Sequence, residues 1–354
     1  MSTGAISVIL AKIPFRFQGL TIIGKSFFIL DLVLFSVFVI IISIRFQRTG
    51  ALSKSLQTPP EALFFGSLWV SIALLLNCIQ AYGVPVCGLW LVKTLEVCFW
   101  IYSTCALCVA IVQYGTIFVG QRMPISSAIP AWIFPAYPFL VIGPLAGTLL
   151  PSQPAAAALP IFIGAVAFQS LGWLITIFMY TIYITRLLTS DLPPASTRPG
   201  MLISVGPAGY TSTGLVALGR QAPSVIPSAF LGVETLPVGD VVKILFIMAG
   251  MSLWLVSFWF FALSIIAIGT GIRQMRFTLN WWAFVFPNAG MCLATIELGQ
   301  ALNSSAIKGV SCAMAVLLIV AWLVIMVLNI IAVRKRNLLW EGMDDDHGVT
   351  VSAD

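Results

Sequence analysis

Few side chains in this sequence could support acid–base or metal chemistry. The chain has one histidine, His347, which lies beside three aspartates in a polar stretch near the C-terminus. Cys105 and Cys108 have the spacing of redox and metal motifs, but they lie inside a long apolar run and no second cysteine pair accompanies them. No Walker motif is present, which argues against transport driven by ATP. We therefore expect no enzymatic activity, no metal, no cofactor and no nucleic-acid partner.

Ionisable residues inside apolar runs are costly to bury and are often functional. Three acidic residues occupy such runs: Asp31, Glu96 and Glu297. Lys93 precedes Glu96 by three positions, so we predict an ion pair on one face of a helix. Glu61 follows two prolines, and we place it in the first turn of a helix, where its charge meets the positive end of the helix dipole. A role in proton coupling is the alternative for Glu61.

The composition indicates a membrane protein. Hydrophobic residues make up 60% of the 354 residues, charged residues only 8%, and the mean hydropathy is +1.04. A soluble globule of this size needs far more polar surface. We therefore predict an all-α polytopic membrane protein whose transmembrane domain covers residues 1–336, followed by a polar acidic tail at 337–354.

Apolar runs define the predicted spans. A helix needs roughly 20 apolar residues to cross a bilayer, and nine runs have about that length: 24–44, 61–79, 89–114, 130–150, 159–185, 199–219, 241–269, 277–299 and 307–333. The run at 2–10 reaches about half of the hydrocarbon core as a helix. Counted as a truncated first span, it gives ten spans, numbered 1 to 10 in chain order.

Basic residues indicate the orientation. With a cytoplasmic N-terminus, eleven Lys and Arg residues face the cytoplasm and seven face the other side. Lys12 and Arg16 are the main exceptions to a cytoplasmic excess of positive charge. The positive-inside rule then predicts that both termini are cytoplasmic. The net charge of +6 suits contact with anionic lipid headgroups and produces a field that attracts anions.

Odd-numbered and even-numbered spans differ in composition. Even spans such as 241–269 are predicted to be long, free of proline and bulky all round, so we expect them to face lipid. Spans 5, 7 and 9 contain proline and glycine, namely Pro135, Pro138, Gly143, Pro144, Gly147, Gly206, Pro207, Gly209, Gly214, Pro287 and Gly290. Proline kinks a helix, which is tolerated at membrane depth inside protein or beside a water-filled cavity. We predict five hairpins, with odd spans in an inner ring; the alternative is that Gly and Pro are simply commoner in transmembrane helices.

Four motifs resemble those of a known family. They are MSTGAIS at 1–7, FPAYPF at 134–139, RPGMLISVGP at 198–207 and WWAFVFPN at 281–288. In this order they look like the signatures of the tellurite-resistance/dicarboxylate transporter family, which includes fungal malic acid permeases, sulfite efflux pumps and plant slow anion channels. The resemblance covers nearly the whole chain and is strongest to the fungal malic acid branch.

The resemblance implies an architecture and a gate. It implies five hairpins with quasi-fivefold symmetry around a central pore, a homotrimer with one pore in each subunit, and a first helix that is truncated relative to the family. Phe286 matches the phenylalanine that plugs the pore in the family's channels. A swinging apolar ring can switch conductance by steric block and dewetting. Ordinary packing is the alternative role for this phenylalanine.

Substrate contacts are predicted on the kinked inner spans. The proposed kinks lie at Pro138, Pro144, Pro207 and Pro287, and the polar residues that could line the pore are Thr3, Ser204, Tyr210, Thr211, Thr213 and Asn288. Small polar groups and exposed backbone amides can hold an anion there. Ser and Thr also hydrogen-bond back to their own helix, which is the alternative.

The function expected from this sequence is transport of small organic anions across the plasma membrane. The resemblance favours C4-dicarboxylates such as malate, and sulfite efflux or an inorganic-anion channel are the alternatives within transport. A membrane component that does not transport, such as a truncated remnant, is the alternative of another class.

Overall fold

The computed structural model describes residues 1–50, 55, 56, 58–120, 123–336 and 338. These residues form helices, turns and short connections, and no β-strand occurs among them. Lys54, Arg122, His347 and the tail at 337–354, apart from Leu338, lie outside the described residues. The all-α architecture is confirmed for the described part of the chain.

Eight helical segments are long and apolar enough to cross a membrane, which confirms a polytopic membrane protein. These segments are Leu20–Arg48, Glu61–Tyr82, Leu89–Gly120, Pro130–Ser152, Ala155–Thr189, Ala195–Val225, Val238–Gly269 and Ser305–Arg334. The predicted run at 277–299 is divided into a 3-10 helix, Leu279–Phe284, and an α-helix, Phe286–Ala301, both shorter than a membrane span. Ser2–Lys12 is a shorter apolar helix. The count of ten crossings therefore stays a prediction.

The α-helices are numbered here in chain order. They are α1 (Ser2–Lys12), α2 (Leu20–Thr49), α3 (Pro59–Phe64), α4 (Gly66–Tyr82), α5 (Val84–Cys87), α6 (Leu89–Gly120), α7 (Tyr137–Leu140), α8 (Ile142–Leu149), α9 (Ala155–Thr189), α10 (Val205–Val225), α11 (Val238–Gly269), α12 (Phe286–Ala301) and α13 (Ser305–Arg334). Seven short 3-10 helices lie between them in the described residues.

Five inner segments form a closed ring. Helix α1 packs against α4, α4 against α8, α8 against α10, α10 against α12, and α12 returns to α1. The long helices α2, α6, α9, α11 and α13 pack around this ring. In the inner spans Pro130–Ser152 and Ala195–Val225, 94% of an 18-residue apolar stretch is buried, whereas the corresponding stretches of the long outer helices are 6% to 33% buried. The alternation of inner and outer spans predicted from Gly and Pro is confirmed.

Glycine allows the inner helices to touch through their backbones. A Cβ on Gly209 of α10 would lie 2.6 Å from the amide nitrogen of Met291 on α12. A Cβ on Gly214 would lie 3.0 Å from the Cα of Gly143 on α8. Since a residue with a side chain would not permit such an approach, glycine at these positions allows the inner helices to pack closely.

The inner segments are broken rather than gently kinked. Three of them begin as 3-10 helix, at Pro130–Ala136, Ala195–Ser204 and Leu279–Phe284, and then restart as α7, α10 and α12. The predicted kink prolines lie in the first turns of the restarted α-helices, where a missing N–H removes no internal helix bond: Pro138 in α7, Pro144 in α8, Pro207 in α10 and Pro287 in α12. The local geometry thus differs from kinks within continuous helices.

Outer helices are not all free of proline. Pro160 lies within helix α9, which begins at Ala155, so the prediction that even spans are free of proline is wrong for this span. The helix nevertheless continues to Thr189, and it packs against neighbouring inner segments. The distinction between the two kinds of span therefore depends on helix breaks and burial, and the presence of proline alone does not define it.

Candidate functional site

Phe286 lies at the first position of α12, between aromatic rings from two other inner segments. Its side chain is 3% exposed. The ring stacks on Tyr210 of α10, with centroids 5.2 Å apart, and is tilted against Tyr137 of α7 at 5.5 Å. Tyr137 and Tyr210 meet edge to face at 6.3 Å. These three residues, the central aromatic cluster, join three of the five inner segments.

Tyr210 also fixes the backbone that bears the Phe286 ring. The Tyr210 hydroxyl donates a hydrogen bond to the carbonyl oxygen of Phe286 at 3.1 Å. Its ring lies against Gly290, where a Cβ would come within 2.7 Å of the ring. The backbone of Phe286 is therefore held to α10, and a change in the position of its ring would proceed by side-chain rotation.

Tyr137 is the residue of the cluster that sequence reasoning did not select as a site residue. Its side chain is fully buried, and its hydroxyl has no hydrogen-bond partner among the described residues. The hydroxyl lies against Gly206 in the first turn of α10, where any Cβ would overlap it. The motif at 134–139 contains this tyrosine, but nothing in the sequence distinguishes its hydroxyl from those of the other tyrosines.

Thr211 and Thr213 belong to a buried polar network. Thr211 donates to the carbonyl of Pro207 at 2.7 Å and accepts from Gln169 at 3.0 Å. The amide oxygen of Gln169 in turn accepts from the backbone N–H of Gly143 at 2.9 Å. Thr213 donates to a carbonyl of its own helix at 2.9 Å and lies 3.1 Å from a carbonyl of α12. Gln169 projects from outer helix α9, so its role at the helix break was not predictable from the composition of the inner spans.

The other polar candidates are also buried. Ser204 donates to a carbonyl of its own 3-10 helix at 2.7 Å, and Thr3 lies 3.2 Å from the indole nitrogen of Trp322, which donates to it. The amide nitrogen of Asn288 donates to a carbonyl of the preceding 3-10 helix at 3.0 Å, and its oxygen has no partner among the described residues. Ser204, Thr211 and Thr213 thus make the bonds to their own helices that the alternative predicted. A pore-lining role for these residues stays a prediction.

A charge cluster joins three inner helices at their C-terminal ends. Glu297 of α12 accepts hydrogen bonds from Lys12 of α1 at 2.9 Å and from Arg220 of α10 at 2.7 Å. The Arg220 guanidinium also donates to Gln300 at 2.6 Å. The carboxylate is 5% exposed, whereas the side chains of Lys12 and Arg220 are 17% and 34% exposed. These three side chains together carry one net positive charge.

The remaining ionisable candidates lie away from the centre. Lys93 and Glu96 form the predicted ion pair at 2.9 Å. Glu61 lies in the first turn of α3, as predicted, and also pairs with Arg45 at 2.9 Å. Asp31 is buried against α1.

The sequence matches the family described as voltage-dependent anion channel over residues 1–330. The chain belongs to this family. The match covers all the inner segments and the central aromatic cluster. It confirms the resemblance inferred from the four motifs, and it places the chain among transporters and channels.

Curated relatives in fungi agree with this assignment. The chain is 30% identical over 347 residues to a putative malic acid transport protein of Schizosaccharomyces pombe, a match that covers 98% of this chain and 80% of the relative. It is 29% identical over 350 residues to the malic acid transport protein of the same yeast, covering 98% and 79%. A sulfite efflux pump of Trichophyton rubrum is 27% identical over 311 residues, covering 86% and 80%.

Proposed function

We propose that the protein transports small organic anions, with C4-dicarboxylates such as malate as substrates, through a pore that Phe286 gates. The observation that supports this proposal most directly is the position of Phe286, whose ring lies between Tyr137 and Tyr210 inside a closed ring of helices. Relatives named as malic acid transport proteins match almost the entire chain.

The central aromatic cluster would block an anion in two ways. Its three buried rings pack against each other and leave little room for an anion, and these apolar rings cannot replace the water that an anion needs around it. Opening requires the Phe286 ring to leave both tyrosines while Tyr210 keeps its hydrogen bond to the Phe286 backbone. Rotation of one side chain therefore suffices as the gating step.

There are two alternatives to the transport of organic anions. Sulfite efflux or inorganic-anion conduction is favoured by the relatives named as sulfite efflux pumps, which match 86% of this chain in one case. A non-transporting membrane component or truncated remnant is the alternative of another class, and it predicts no flux of any anion.

Flux measurements on purified protein in lipid vesicles test these proposals. Labelled malate, sulfite and chloride are offered in parallel at equal concentration, with protein-free vesicles as the control. We expect saturable malate uptake that exceeds the uptake of the other two anions. Higher uptake rates for sulfite or chloride would show that malate is not the preferred substrate. Uptake rates equal to those of protein-free vesicles for all three anions would support the non-transporting alternative.

The assembly and location are proposed from the family resemblance. We propose a homotrimer in the plasma membrane, with ten spans, quasi-fivefold symmetry in each subunit and both termini in the cytoplasm. The closed contact ring of five inner segments supports a five-hairpin arrangement. Mass photometry in nanodiscs should detect about three protomers in each particle, and a stable monomer would remove the trimer from the proposal.

A further inference from the structure

The seven tyrosines of the chain divide according to the partners of their hydroxyl groups. Five hydroxyls donate to backbone carbonyls of inner segments: Tyr82 to Ser7, Tyr102 to Pro138, Tyr114 to Trp132, Tyr180 to Ser204 and Tyr210 to Phe286. The hydroxyls of Tyr137 and Tyr183 have no partner among the described residues. Tyr183 lies on outer helix α9, whereas Tyr137 lies inside the central aromatic cluster.

An unpaired hydroxyl at this depth is unfavourable. The Tyr137 side chain is fully buried. A buried donor without an acceptor loses the hydrogen bonds that it made in water. If packing were the only role of this residue, phenylalanine would give the more stable fold. A ligand that accepts a hydrogen bond at this position would recover the loss.

The surroundings of this hydroxyl favour a negatively charged ligand. It lies against Gly206, the second residue of the 21-residue helix α10, and the Cα of Pro287, the second residue of α12, approaches the same glycine. The N-terminal ends of both helices therefore meet beside Tyr137. These ends bear the positive part of the helix dipole, which stabilises anions.

We propose that the Tyr137 hydroxyl and the first turns of α10 and α12 form an anion-binding subsite in the transport path. A carboxylate or sulfite oxygen accepts the Tyr137 hydrogen bond once the Phe286 ring has turned away. The subsite rests on the proposed function, because it becomes accessible only when Phe286 opens. It gives Tyr137 the role of a substrate-contacting residue that determines affinity.

The test uses Tyr137→Phe, which removes one hydroxyl and keeps the ring, in both the wild-type chain and the Phe286→Ala background. Uptake into vesicles is measured as a function of malate, sulfite or chloride concentration, and melting temperature is measured with and without each anion. We expect KM for the preferred anion to rise about tenfold or more, because a hydrogen bond to a charged ligand is lost. The anion-dependent rise in melting temperature of the Phe286→Ala protein should disappear.

Tyr102→Phe is the matched control, because it removes a hydroxyl that donates to the Pro138 carbonyl at 3.0 Å. We expect it to lower the melting temperature without changing KM, whereas Tyr137→Phe without an anion should melt no lower than its parent. An unchanged KM in a transporting Tyr137→Phe protein would overturn the subsite and leave the proposed function intact. If no variant transports, the proposed function fails, and the subsite stands only if the anion-dependent melting shift still requires Tyr137.

Discussion

Lys12 and Glu297 are separated by 285 positions in the sequence, yet the Lys12 ammonium donates to the Glu297 carboxylate at 2.9 Å. The contact closes the ring of inner helices, because it joins the first of them to the last. Arg220 contacts the second oxygen of the same carboxylate at 2.7 Å and adds the helix that lies next to α12. One buried charge therefore ties three of the five inner segments together at one end.

Glu297→Gln should destabilise the protein. The amide keeps the shape but leaves two cations facing a neutral group, and breaking a fully buried pair costs about 3 to 5 kcal/mol. We expect a smaller loss here, because Lys12 and Arg220 are partly exposed and can turn towards water. Thermal unfolding in detergent measures the loss. Glu96→Gln is the control, because Lys93 is 71% exposed and its ion pair with Glu96 should contribute less than about 1 kcal/mol. Equal losses of stability in the two variants would contradict a stabilising role for the Glu297 cluster.

Phe286→Ala should raise anion flux. Replacing the ring removes the steric and apolar block together, while the lost contacts with Tyr137 and Tyr210 lower stability. Because the Phe286 ring is buried and packed against both tyrosines, we expect a measurable fall in melting temperature. Deletion of a buried phenylalanine usually costs about 3 to 5 kcal/mol, and packing alone predicts that cost without any gain of flux.

Phe260→Ala is the matched control for the gate. Phe260 is 2% exposed on outer helix α11 and its ring lies 4.4 Å from that of Tyr180, away from the central aromatic cluster. The control should lose stability and gain no flux. Unchanged or reduced flux in a folded Phe286→Ala protein would end the gate hypothesis.

Gly209→Ala should disturb the contact between α10 and α12. The added Cβ would meet backbone atoms of Gly290 and Met291, at 2.8 and 2.6 Å, and backbone cannot move aside as a flexible side chain can. Overpacking of this kind costs about 1 to 3 kcal/mol. Gly309→Ala on outer helix α13, where nothing lies within 4 Å, should be neutral or stabilising by up to about 1 kcal/mol. Matching melting temperatures for the two variants would contradict the close helix contact.

The inner and outer spans of this fold can be predicted from the sequence, because the composition of each span reflects whether it faces lipid or protein. Bulky residues all round 241–269 indicate lipid, and the Gly and Pro of spans 5 and 7 indicate the crowded centre; burial agrees with both. The breaks between 3-10 and α-helix were not predictable, because proline is compatible with either a kink or a first turn. The pairing of Lys12 with Glu297 depends on ring closure, which no local pattern encodes.

The site could be predicted only where a motif identifies it. Phe286 was selected from the motif at 281–288, and the structure places its ring between those of Tyr137 and Tyr210; its role as a gate stays a prediction. Tyr137 and Gln169 were missed, because their importance lies in the partners that they have or lack across the ring. Such contacts join residues that are far apart in sequence, so they become visible only in three dimensions.

The proposed orientation predicts which native thiol reacts from outside the cell. Cys87 is exposed at the end of α5, in the connection between α4 and α6 that the charge distribution assigns to the outer side. A membrane-impermeant maleimide should label it in intact cells. Cys108 is also exposed on the protein surface but lies within α6, where we expect lipid to keep the water-borne reagent away, so it provides the control. A tag after Arg336 should be protected in the same cells, and one inserted near Ser305 should be accessible. Labelling of the Arg336 tag from outside would contradict a cytoplasmic C-terminus. Protection of Cys87 until the cells are opened would contradict the proposed outer position of the connection between α4 and α6.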